Sequence, residues 1–514
     1  MDRRMFLAGG AAFAGGMALV GGLAGCSVPD EPAASIDGGA LRLGLAGGAT
    51  SDSLDPRTYM DWVPINIGYQ IMNGLVEIDE HREATPELLE SWEPAAGATE
   101  WIFNVRRGVL FHNGKTLDAD DVIYSVNLHR GDTRSASKGV LENVTDIRKL
   151  DSHQLKITLA AGDAELPATL SDYRLLVVPD GFSDWDHPIG TGGYKLESFE
   201  PGVRCITRKA GDYWKPNAAH VEAIEVIVVN DAVARINALT SGQVDIVNQV
   251  DGRTASLLKR NQKLQIVRSQ TGHHAVLAMN CERDPYTHND IRLALKYAID
   301  REHLVKVVLN GYGQVGNDQP VPITSRNFDP GIPQHTFDPD RARFHLKRAG
   351  YSTLEATLQV SDVSFSGALD SAVLFQAAAA AAGVTLEVKR EPSDGYWSSV
   401  WQKAPFCGSY SDGRPTVDAI LSKAYKSTSS TNDCHWYRPD FDRLVNQARA
   451  EVDVDKRKAL YGECQRMIWE EGGALIPMFI DHVEAGSSRV QGWKPAPIYD
   501  LMGLRIGEKV WLRA

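Results

Sequence analysis

Hydrophobic and polar positions alternate with two different periods between His187 and Val250, and this stretch sets the architecture expected of the chain. Residues 194–199 alternate with period two, as a half-buried strand does, and 221–229 form a mainly apolar strand. Residues 232–240 then place apolar side chains at helical spacing, and a stop at 241–245 leads into another short strand. Strands that alternate with helices in this way predict an α/β fold.

A glycine-rich turn opens the same stretch. Pro188 and three glycines at positions 190, 192 and 193 surround Thr191. Glycine lacks a Cβ atom and allows its backbone to come close to another group. The sequence therefore predicts a close approach of the backbone to another group at this turn.

The alternation of strands and helices continues on both sides of this stretch. Asp118 is placed to cap a helix that begins at the next residue, and two acids behind it favour the positive end of the helix dipole. Residues 290–309 carry apolar positions at helical spacing and predict one helix. The other elements predicted in the second half are strands at 275–280, 354–360, 384–389 and 474–480, and helices at 338–349, 368–382, 441–451 and 455–471.

Length and composition describe an ordinary globular protein of more than one domain. The chain has 514 residues, of which 43% are apolar and 23% charged. Domains typically run to about 50–250 residues, so two or three are expected. The formal net charge is -12 and no concentrated basic run occurs, which excludes the usual means of binding nucleic acid. The acidity suits either a well-solvated surface or a cationic ligand.

The N-terminus has the pattern of an export signal. Arg3 and Arg4 precede an uncharged run, rich in Gly and Ala, that extends from Met5 to Cys26. The arginine pair resembles a twin-arginine signal, and Leu23-Ala24-Gly25-Cys26 resembles the lipobox of bacterial lipoproteins. We therefore expect a signal over 1–26 that ends at a lipidated Cys26, followed by a tether over 27–40. A plain secretory signal with an incidental cysteine is the alternative.

Motifs of enzymes and metal sites match only in part. Residues 311–316 satisfy G-x-G-x-x-G but follow a predicted helix, whereas dinucleotide binding requires a preceding strand. Gly114-Lys115-Thr116 resembles the end of a phosphate-binding loop, but Val109 replaces its first glycine. Adjacent His273 and His274 would point to opposite faces of a strand. The sequence therefore predicts no catalytic residues, no cofactor and no metal.

Three motifs of the opening stretch, in order along the chain, resemble one protein family. They are P-x-G-T-G-x-Y at 188–194, D-Y-W at 212–214 and A-R-x-x-A-L-x-S-G-x-V-D at 234–245. Further matches are L-D-P at 54–56, F-H-x-G-K at 111–115 and D-x-R-x-A-L-x-Y-A-I-D-R at 290–301. Together they resemble the family 5 solute-binding proteins of ABC importers, which include dipeptide, oligopeptide, nickel, opine and oligosaccharide receptors.

The resemblance covers nearly all of the chain after the signal and implies its domain organisation. The implied fold is α/β, the two-lobed periplasmic binding protein fold of type II, in the large peptide-binding class with an extra inserted domain. The implied boundaries are 40–75, 186–280 and 485–514 for lobe one, 76–185 for the inserted domain of lobe one, and 281–484 for lobe two. A solute would bind between the lobes, and hinge closure would form the surface that a permease recognises.

The densest mixture of aromatic and polar residues lies between Trp397 and Trp436. A receptor cleft uses flat apolar faces with a few fixed charges, although a lobe core with a solvated loop is the alternative interpretation. The ligand-binding residues expected from lobe two are Trp397, Trp401, Asp412, Arg414, Asp418 and Trp436. Those that the resemblance implies from lobe one are Tyr59, Tyr69, Asn73, Thr191 and Gly192.

Residues 411–416 depart from the pattern of the family's peptide receptors. Those receptors carry an aspartate for the peptide's terminal amine just before a D-P-D-like turn, whereas this chain reads S-D-G-R-P-T. If Pro415 fixes the register, the amine position falls on Ser411, and a shift of one residue moves it to Asp412. Arg414 stands where an acid is common and suits a carboxylate or phosphate through its bidentate guanidinium.

Five cysteines follow Cys26, at positions 205, 281, 407, 434 and 464. Their number is odd, and export permits disulfides. Cys281 and Cys407 both lie near the implied cleft, which suggests a pair, and buried free thiols are the alternative.

We therefore expect a monomeric, non-enzymatic lipoprotein anchored to a membrane in the periplasm or cell envelope. It would deliver a peptide or a peptide-like anionic solute to the transmembrane subunits of an ABC permease with its cytoplasmic ATPase. Receptors for an opine, an oligosaccharide or nickel are alternatives within the family. An envelope hydrolase and a sensory receptor are alternatives of a different class.

Overall fold

The computed structural model describes residues 35–36, 39–131, 133–135 and 137–513. The signal expected at 1–26, with Cys26, and most of the tether expected at 27–40 lie outside the described residues. The described chain forms two mixed seven-stranded sheets, a four-stranded antiparallel sheet and two smaller sheets, with helices between them. This arrangement confirms the predicted α/β fold.

The first mixed sheet is organised around strand Ala40–Leu45. Leu41, Leu43 and Leu45 are fully buried in it, and Arg42 reaches across to pair with Asp245 at 2.9 Å. The strand runs parallel to both Ala223–Val228 and Ile246–Val247, while the outer strands are antiparallel. The spatial order is Leu264–Ser269, His482–Ser487, Ile246–Val247, Ala40–Leu45, Ala223–Val228, Arg204–Lys209 and Tyr194–Glu200.

The second mixed sheet is organised around strand His274–Met279, which is buried along its whole length. It runs antiparallel to Phe406–Ser411 and to short strands near residue 478. The apolar run at 474–480 forms two strands instead of the single one expected, and Pro477 lies between them and cannot donate a ladder hydrogen bond. The spatial order is Gly313–Val315, Met478–Ile480, His274–Met279, Phe406–Ser411, Leu354–Val360 and Val384–Arg390, with Ala474–Leu475 beside His274–Met279.

The third sheet lies within the segment expected as an inserted domain and has its own core. Its strands are, in spatial order, Leu89–Pro94, Glu100–Val105, Gln154–Leu159 and Val144–Asp151. The smaller sheets pair Val76–Ile78 with Ala84–Pro86, and Trp511–Arg513 with Ser35–Ile36 and Val490–Gln491.

The helices follow the predicted caps closely. Asp118 accepts from the backbone N–H groups of Asp120 and Asp121 and forms a capping box, as expected. The helix predicted over 290–309 is instead two helices, because Asp300 caps a new one by accepting from the N–H of His303. The helices of the described chain include Trp62–Ile71, Ala119–Asn127, Leu166–Thr169, Ala232–Thr240, Gly252–Leu258, Asn289–Tyr297, Arg301–Val307, Pro339–Arg348, Ala368–Ala380, Tyr396–Ser399, Val417–Ala424, Pro439–Ala450, Val454–Glu471 and Ile506–Lys509.

The chain crosses between the two mixed sheets at two places. Strand His274–Met279 pairs only within the second sheet, although the implied boundary at 280 puts it in lobe one. Strand His482–Ser487 pairs within the first sheet, although a boundary at 484 would divide it. A strand satisfies its backbone hydrogen bonds inside one sheet, so the crossings are at 270–273 and 481, which we call the hinge segments.

The expected disulfide between Cys281 and Cys407 is wrong, because the cysteines of the described chain at 205, 281, 407, 434 and 464 are free. Cys407 packs in a small cluster with Tyr396 and Val400. Cys281 lies beside Cys434 instead, and its N–H donates to the carbonyl of Cys434 at 2.8 Å.

Candidate functional site

A pocket of about 320 Å³ opens on the second sheet beside the hinge segments, and we call it the inner pocket. One wall comes from strand Phe406–Ser411 and the first residues of the next turn, and another from the end of helix Val417–Ala424. Its lining mixes aromatic and charged side chains, which include His274, Trp397, Trp401, Tyr410, Asp412, Lys423, Tyr425 and Asp433.

Aromatic rings form one side of the inner pocket. Trp397 meets Trp401 and Tyr410 edge to face, with ring centroids 5.8 Å and 5.7 Å apart. Trp397 and Tyr410 remain 39% and 40% exposed, which is unusual for rings of this size. The short helix that carries Trp397 is held in place by Tyr396, whose hydroxyl donates to the carbonyl of Gly408 at 2.7 Å. The pocket therefore presents accessible aromatic faces on a fixed support.

Asp412 stands at the mouth of this pocket, directly after strand Phe406–Ser411. Its Oδ1 lies 3.0 Å from Nδ1 of His273 in the hinge segment. The next residue must be glycine, because a Cβ on Gly413 would lie 1.7 Å from the carbonyl oxygen of Thr271. Burial alone raises the pKa of Asp412, but the hydrogen bond from His273 and the charge of Arg414 outweigh it and hold the pKa far below its usual range.

An aromatic bridge connects Asp412 to the first lobe. The ring centroid of His273 lies 5.5 Å from the ring centroids of both Tyr410 and His482. The ring of His482 in turn packs edge to face on that of Trp62, with their centroids 6.3 Å apart. Burial lowers the pKa of His482 to about 4, so this ring is neutral near pH 7. The bridge continues from Trp62 through Tyr499 to Tyr173. A ligand at Asp412 would therefore lie against side chains from both lobes.

Two cations approach the same region without a carboxylate partner in the described chain. Nε of Arg414 is buried and makes no hydrogen bond to a described residue. Lys423 remains partly exposed to solvent and has no ion pair within 4.0 Å in the described chain, and the protein around it, followed by the charge of Arg414, lowers its pKa to about 8. Burial raises the pKa of Tyr173 and of Tyr499, and the nearby charge of Arg414 opposes that rise in both. The site therefore has two positive charges that no described carboxylate pairs with.

Of the expected site residues, Trp397, Trp401 and Asp412 line the inner pocket, and Arg414 follows at its edge. Trp436 is buried against Phe441 in a lobe core. Asp418 faces away and pairs with Arg449 at 2.9 Å. These two contacts account for both residues without a ligand.

The residues expected from lobe one are used mainly inside the protein. The hydroxyl of fully buried Tyr59 donates to the carbonyl of Leu54, and Thr191 donates to Oδ1 of Asn73 at 2.9 Å. A Cβ on Gly192 would lie 2.4 Å from the carbonyl oxygen of Gln70, so the predicted close approach is to helix Trp62–Ile71. These four positions pack and bond within lobe one.

Tyr69 lines a second, larger cavity of about 1010 Å³, which extends between the first lobe and residue 324. The guanidinium of Arg505 lies 4.2 Å from the ring centroid of Tyr69. Three ion pairs lie at this cavity, between Arg505 and Glu87, Lys509 and Glu77, and Arg268 and Asp481. Asp79, Glu80, Arg82 and Lys494 also line it and form no ion pair within 4.0 Å to a described side chain.

Sequence reasoning missed residues that only the fold brings to the site. They are Tyr173, His273, Lys423, Asp433, His482 and Tyr499. Asp433 lies in the aromatic stretch that the sequence singled out, so its neighbourhood was a usable signal. Nothing local marks Lys423, since it resembles any other lysine at the end of a helix. Among the described side chains, no group of three or more histidine, cysteine, aspartate or glutamate residues is placed to hold a metal ion.

The sequence and the fold of this chain are similar to those of known proteins. Residues 83–432 match the family described as "Bacterial extracellular solute-binding proteins, family 5 Middle". The glutathione-binding protein GsiB of Pectobacterium atrosepticum is 24% identical over 475 residues, which cover 88% of this chain and 91% of that protein.

Two solved structures have a similar fold. HbpA2 of Haemophilus parasuis has a TM-score of 0.81 and 22% identity, and the match covers 93% of this chain and all of that one. The periplasmic binding protein DppA of Helicobacter pylori, in complex with the peptide STSA, has a TM-score of 0.76 and 21% identity, with 93% and 98% covered. No described helix combines the length and the hydrophobicity that crossing a membrane requires.

Proposed function

The chain belongs to the family 5 bacterial extracellular solute-binding proteins, and from this premise we propose that its solute is a peptide or a peptide-like anion held between two lobes. Members of this family are the non-catalytic, extracytoplasmic substrate-binding components of ABC importers. The chain therefore binds a small solute for such an importer, whose permease and ATPase are its partners.

The observation that supports an anionic solute is the unpaired guanidinium of Arg414. Its Nε is buried without a described partner, and its charge acts on the pKa of Asp412 in the second lobe and opposes the rise that burial causes for Tyr173 and Tyr499 in the first. A partly buried cation is costly unless an anion pairs with it, and a bidentate carboxylate fits a guanidinium well. Asp412, kept ionised by His273, would take a cationic group of the same solute.

Closure follows from contacts on both sides of the cleft. We treat the two mixed sheets as two lobes that rotate about the hinge segments 270–273 and 481. Trp397, Trp401, Asp412 and Arg414 would bind the solute from lobe two, and Tyr173 and Tyr499 from lobe one. A solute that touches both lobes stabilises the closed state by its differential affinity for that state.

Binding to Arg414 is tested on the solute that copurifies with the protein. Native mass spectrometry identifies it, and calorimetric titration then compares the wild type with Arg414→Ala. We expect the variant to lose about tenfold or more in affinity, because a hydrogen bond to a charged group contributes roughly 1.5–3 kcal/mol. Arg443→Ala, an exposed arginine on helix Pro439–Ala450, is the matched control and should bind normally. Unchanged affinity in Arg414→Ala, or a copurified solute without an anionic group, would contradict the proposal.

We further propose that Cys26 is the lipidated first residue of the mature protein, after export by the twin-arginine route. Support comes from Arg3, Arg4 and the Leu23–Cys26 lipobox, which lie outside the described residues. Intact mass spectrometry of protein from a native membrane should show a diacylglyceryl mass that Cys26→Ser lacks. An unmodified thiol at Cys26 in the wild type would contradict the proposed lipid anchor.

A further inference from the structure

We infer that the inner pocket selects solutes with a compact zwitterionic group, such as an α-amino-acid end. Asp433 and His274 accept from its ammonium, and Lys423 donates to its carboxylate. This inference rests on the proposed function and narrows it to a class of solute. A second carboxylate of that solute would lie at Arg414, which follows Asp412 at the edge of the inner pocket.

The size of the inner pocket limits what can enter it. Pockets for drug-sized ligands run from about 300 to 1,000 Å³, and this one, at about 320 Å³, is at the lower end. It has room for about one or two amino-acid residues and not for a long peptide. The rest of a larger solute must therefore extend through the mouth toward Asp412, where side chains of the first lobe begin.

Asp433 is a carboxylate in the pocket wall that lacks a cation. Its Oδ1 accepts from Nε1 of Trp401 at 3.0 Å, and it makes no ion pair within 4.0 Å to any described side chain. Burial raises the pKa of Asp433 to about 6, although hydrogen bonds from Ser409 and Trp401 and the charges of Lys423 and His435 oppose the shift. An ammonium group at this carboxylate would supply the missing charge.

His274 provides a second acceptor on the same wall. Its Nδ1 lies 2.8 Å from the carbonyl oxygen of Gly272, which can only accept, so Nδ1 carries the proton. Burial lowers the pKa of His274 to about 4, and the neutral ring therefore has a free lone pair on Nε2. Nε2 is buried and has no hydrogen-bond partner among the described residues. A buried acceptor of this kind needs a donor, and an ammonium supplies one.

Lys423 provides the opposite charge in the same pocket. It lies in the last turn of helix Val417–Ala424 and forms no ion pair within 4.0 Å to a described carboxylate. The charged groups around it are Arg414 and Arg174, which lower its pKa, and Asp412 and Asp433, which raise it. Asp433 and Lys423 therefore face one pocket without pairing with each other. Lys423 would repel a purely cationic group, and Asp433 would repel a purely anionic one. A zwitterion carries one charge of each sign and can pair with both residues.

The test is a calorimetric titration of the solute-free protein with three probes. They are γ-glutamylalanine, which has a free α-amino-acid end, its N-acetyl derivative, which lacks the ammonium, and its α-carboxamide, which lacks the carboxylate. Wild type should bind the parent compound about tenfold or more tightly than either derivative, because each derivative loses a charge-assisted hydrogen bond. The α-linked peptide Glu-Ala serves as a separate probe of the proposed function.

Each variant should lose the preference that depends on the charge it removes. Asp433→Asn should lose the preference for the parent over the N-acetyl derivative and keep the preference over the carboxamide, and Lys423→Gln should do the reverse. Lys426→Gln, which removes a lysine that bonds Asn446 just after the same helix, should keep both preferences. In wild type the affinity should fall below about pH 6 and above about pH 8, and each variant should lose one limb of that profile.

Four outcomes of these titrations would count against this inference, and they differ in what they say about the proposed function. Equal binding of all three probes, or preferences that survive in both variants, would overturn the inference. Binding of Glu-Ala without binding of any γ-linked probe would also overturn it and would leave the proposed function standing. Binding of neither Glu-Ala nor the γ-linked probes would count against both.

Discussion

At the scale of single residues, the first lobe is held together by a buried charge network. Glu87 is fully buried, and Arg505 donates to both of its carboxylate oxygens at 2.5 Å and 2.6 Å. Lys215 and Asn73 also donate to Glu87. Burial alone raises the pKa of Glu87, but Arg505 and Lys215 outweigh it and keep the pKa below its ordinary value. Because Asn73 donates to Glu87 in this network, its side chain stabilises the first lobe and does not face a ligand.

Removing one partner of this network should be costly. We expect Arg505→Met to lower the free energy of unfolding by about 3–5 kcal/mol, because it leaves a buried carboxylate without its main countercharge. Urea unfolding followed by circular dichroism measures the difference. Arg208→Met is the matched control, since its exposed pair with Glu197 is worth at most about 1 kcal/mol. Equal losses in the two variants would contradict this account.

At the scale of elements, a loop of the inserted domain docks on helices of the second lobe. The hydroxyl of Tyr461 donates to Oε2 of Glu165 at 2.8 Å, and the N–H of Ala164 donates to the carbonyl of Arg449 at 2.7 Å. Nε of Arg457 lies 4.0 Å from Oε1 of Glu165. This contact joins the inserted domain to the second lobe.

The same contact brings three carboxylates together. Burial, and then the charge of Asp418, raises the pKa of Glu165 to about 7 and that of Asp163 to about 6. Arg449 and Arg457 act in the opposite direction but do not restore ordinary values. The docked arrangement therefore retains protons at a pH where free carboxylates have lost them.

This predicts a pH-dependent contribution to stability. The pKa of Glu165 is about 7 in the folded protein and roughly 4.3 in an unfolded chain. Its contribution is complete below the unfolded value and is lost as the pH rises toward 7. Glutamine stays neutral and can still accept from Tyr461, so Glu165→Gln should lose less stability than wild type between pH 5 and pH 8.

Urea unfolding at pH 5, 6.5 and 8 measures this difference. Glu463→Gln, an exposed position on the same helix as Tyr461, should follow the wild-type profile. Parallel profiles for wild type and Glu165→Gln would show that the carboxylate is not protonated in the docked contact.

At the scale of the whole molecule, two lobes meet through an aromatic bridge at the hinge segments and through the contact of Glu165 with Tyr461. His273, in a hinge segment, touches both Asp412 of the site and His482 of the first sheet. A solute that changes the charge around Asp412 therefore acts on a residue that lies where the lobes turn. Under the proposed function, recognition and closure would therefore share one set of contacts.

The order of strands and helices was predictable because it depends on near neighbours. Periodicity located helix Ala232–Thr240 and strand Leu354–Val360 within a residue or two, and Asp118 formed the expected capping box. The errors were local as well: the helix expected over 290–309 is broken at Asp300 by a second cap, and Pro477 divides a strand. The family was recognisable for the same reason, since its motifs are short turns and caps.

The residues of the site could be predicted only in part. The aromatic stretch from Trp397 gave Trp397, Trp401 and Asp412, which the pocket uses. Asp418 and Trp436 belong to the same stretch, but a helix turns one toward Arg449 and a core encloses the other. Sequence proximity groups such residues, whereas the direction of each side chain depends on the packing of its element.

The sequence by itself determined the α/β architecture, the family and the segment that supplies most of the pocket. Only the tertiary structure decided which charges remain unpaired, because pairing joins residues far apart in the chain. Asp412 meets His273 across 139 residues, and Glu165 meets Tyr461 across 296. Local patterns fix hydrogen bonds between neighbours along the chain, while burial and charge pairing depend on what the fold brings within a few ångströms.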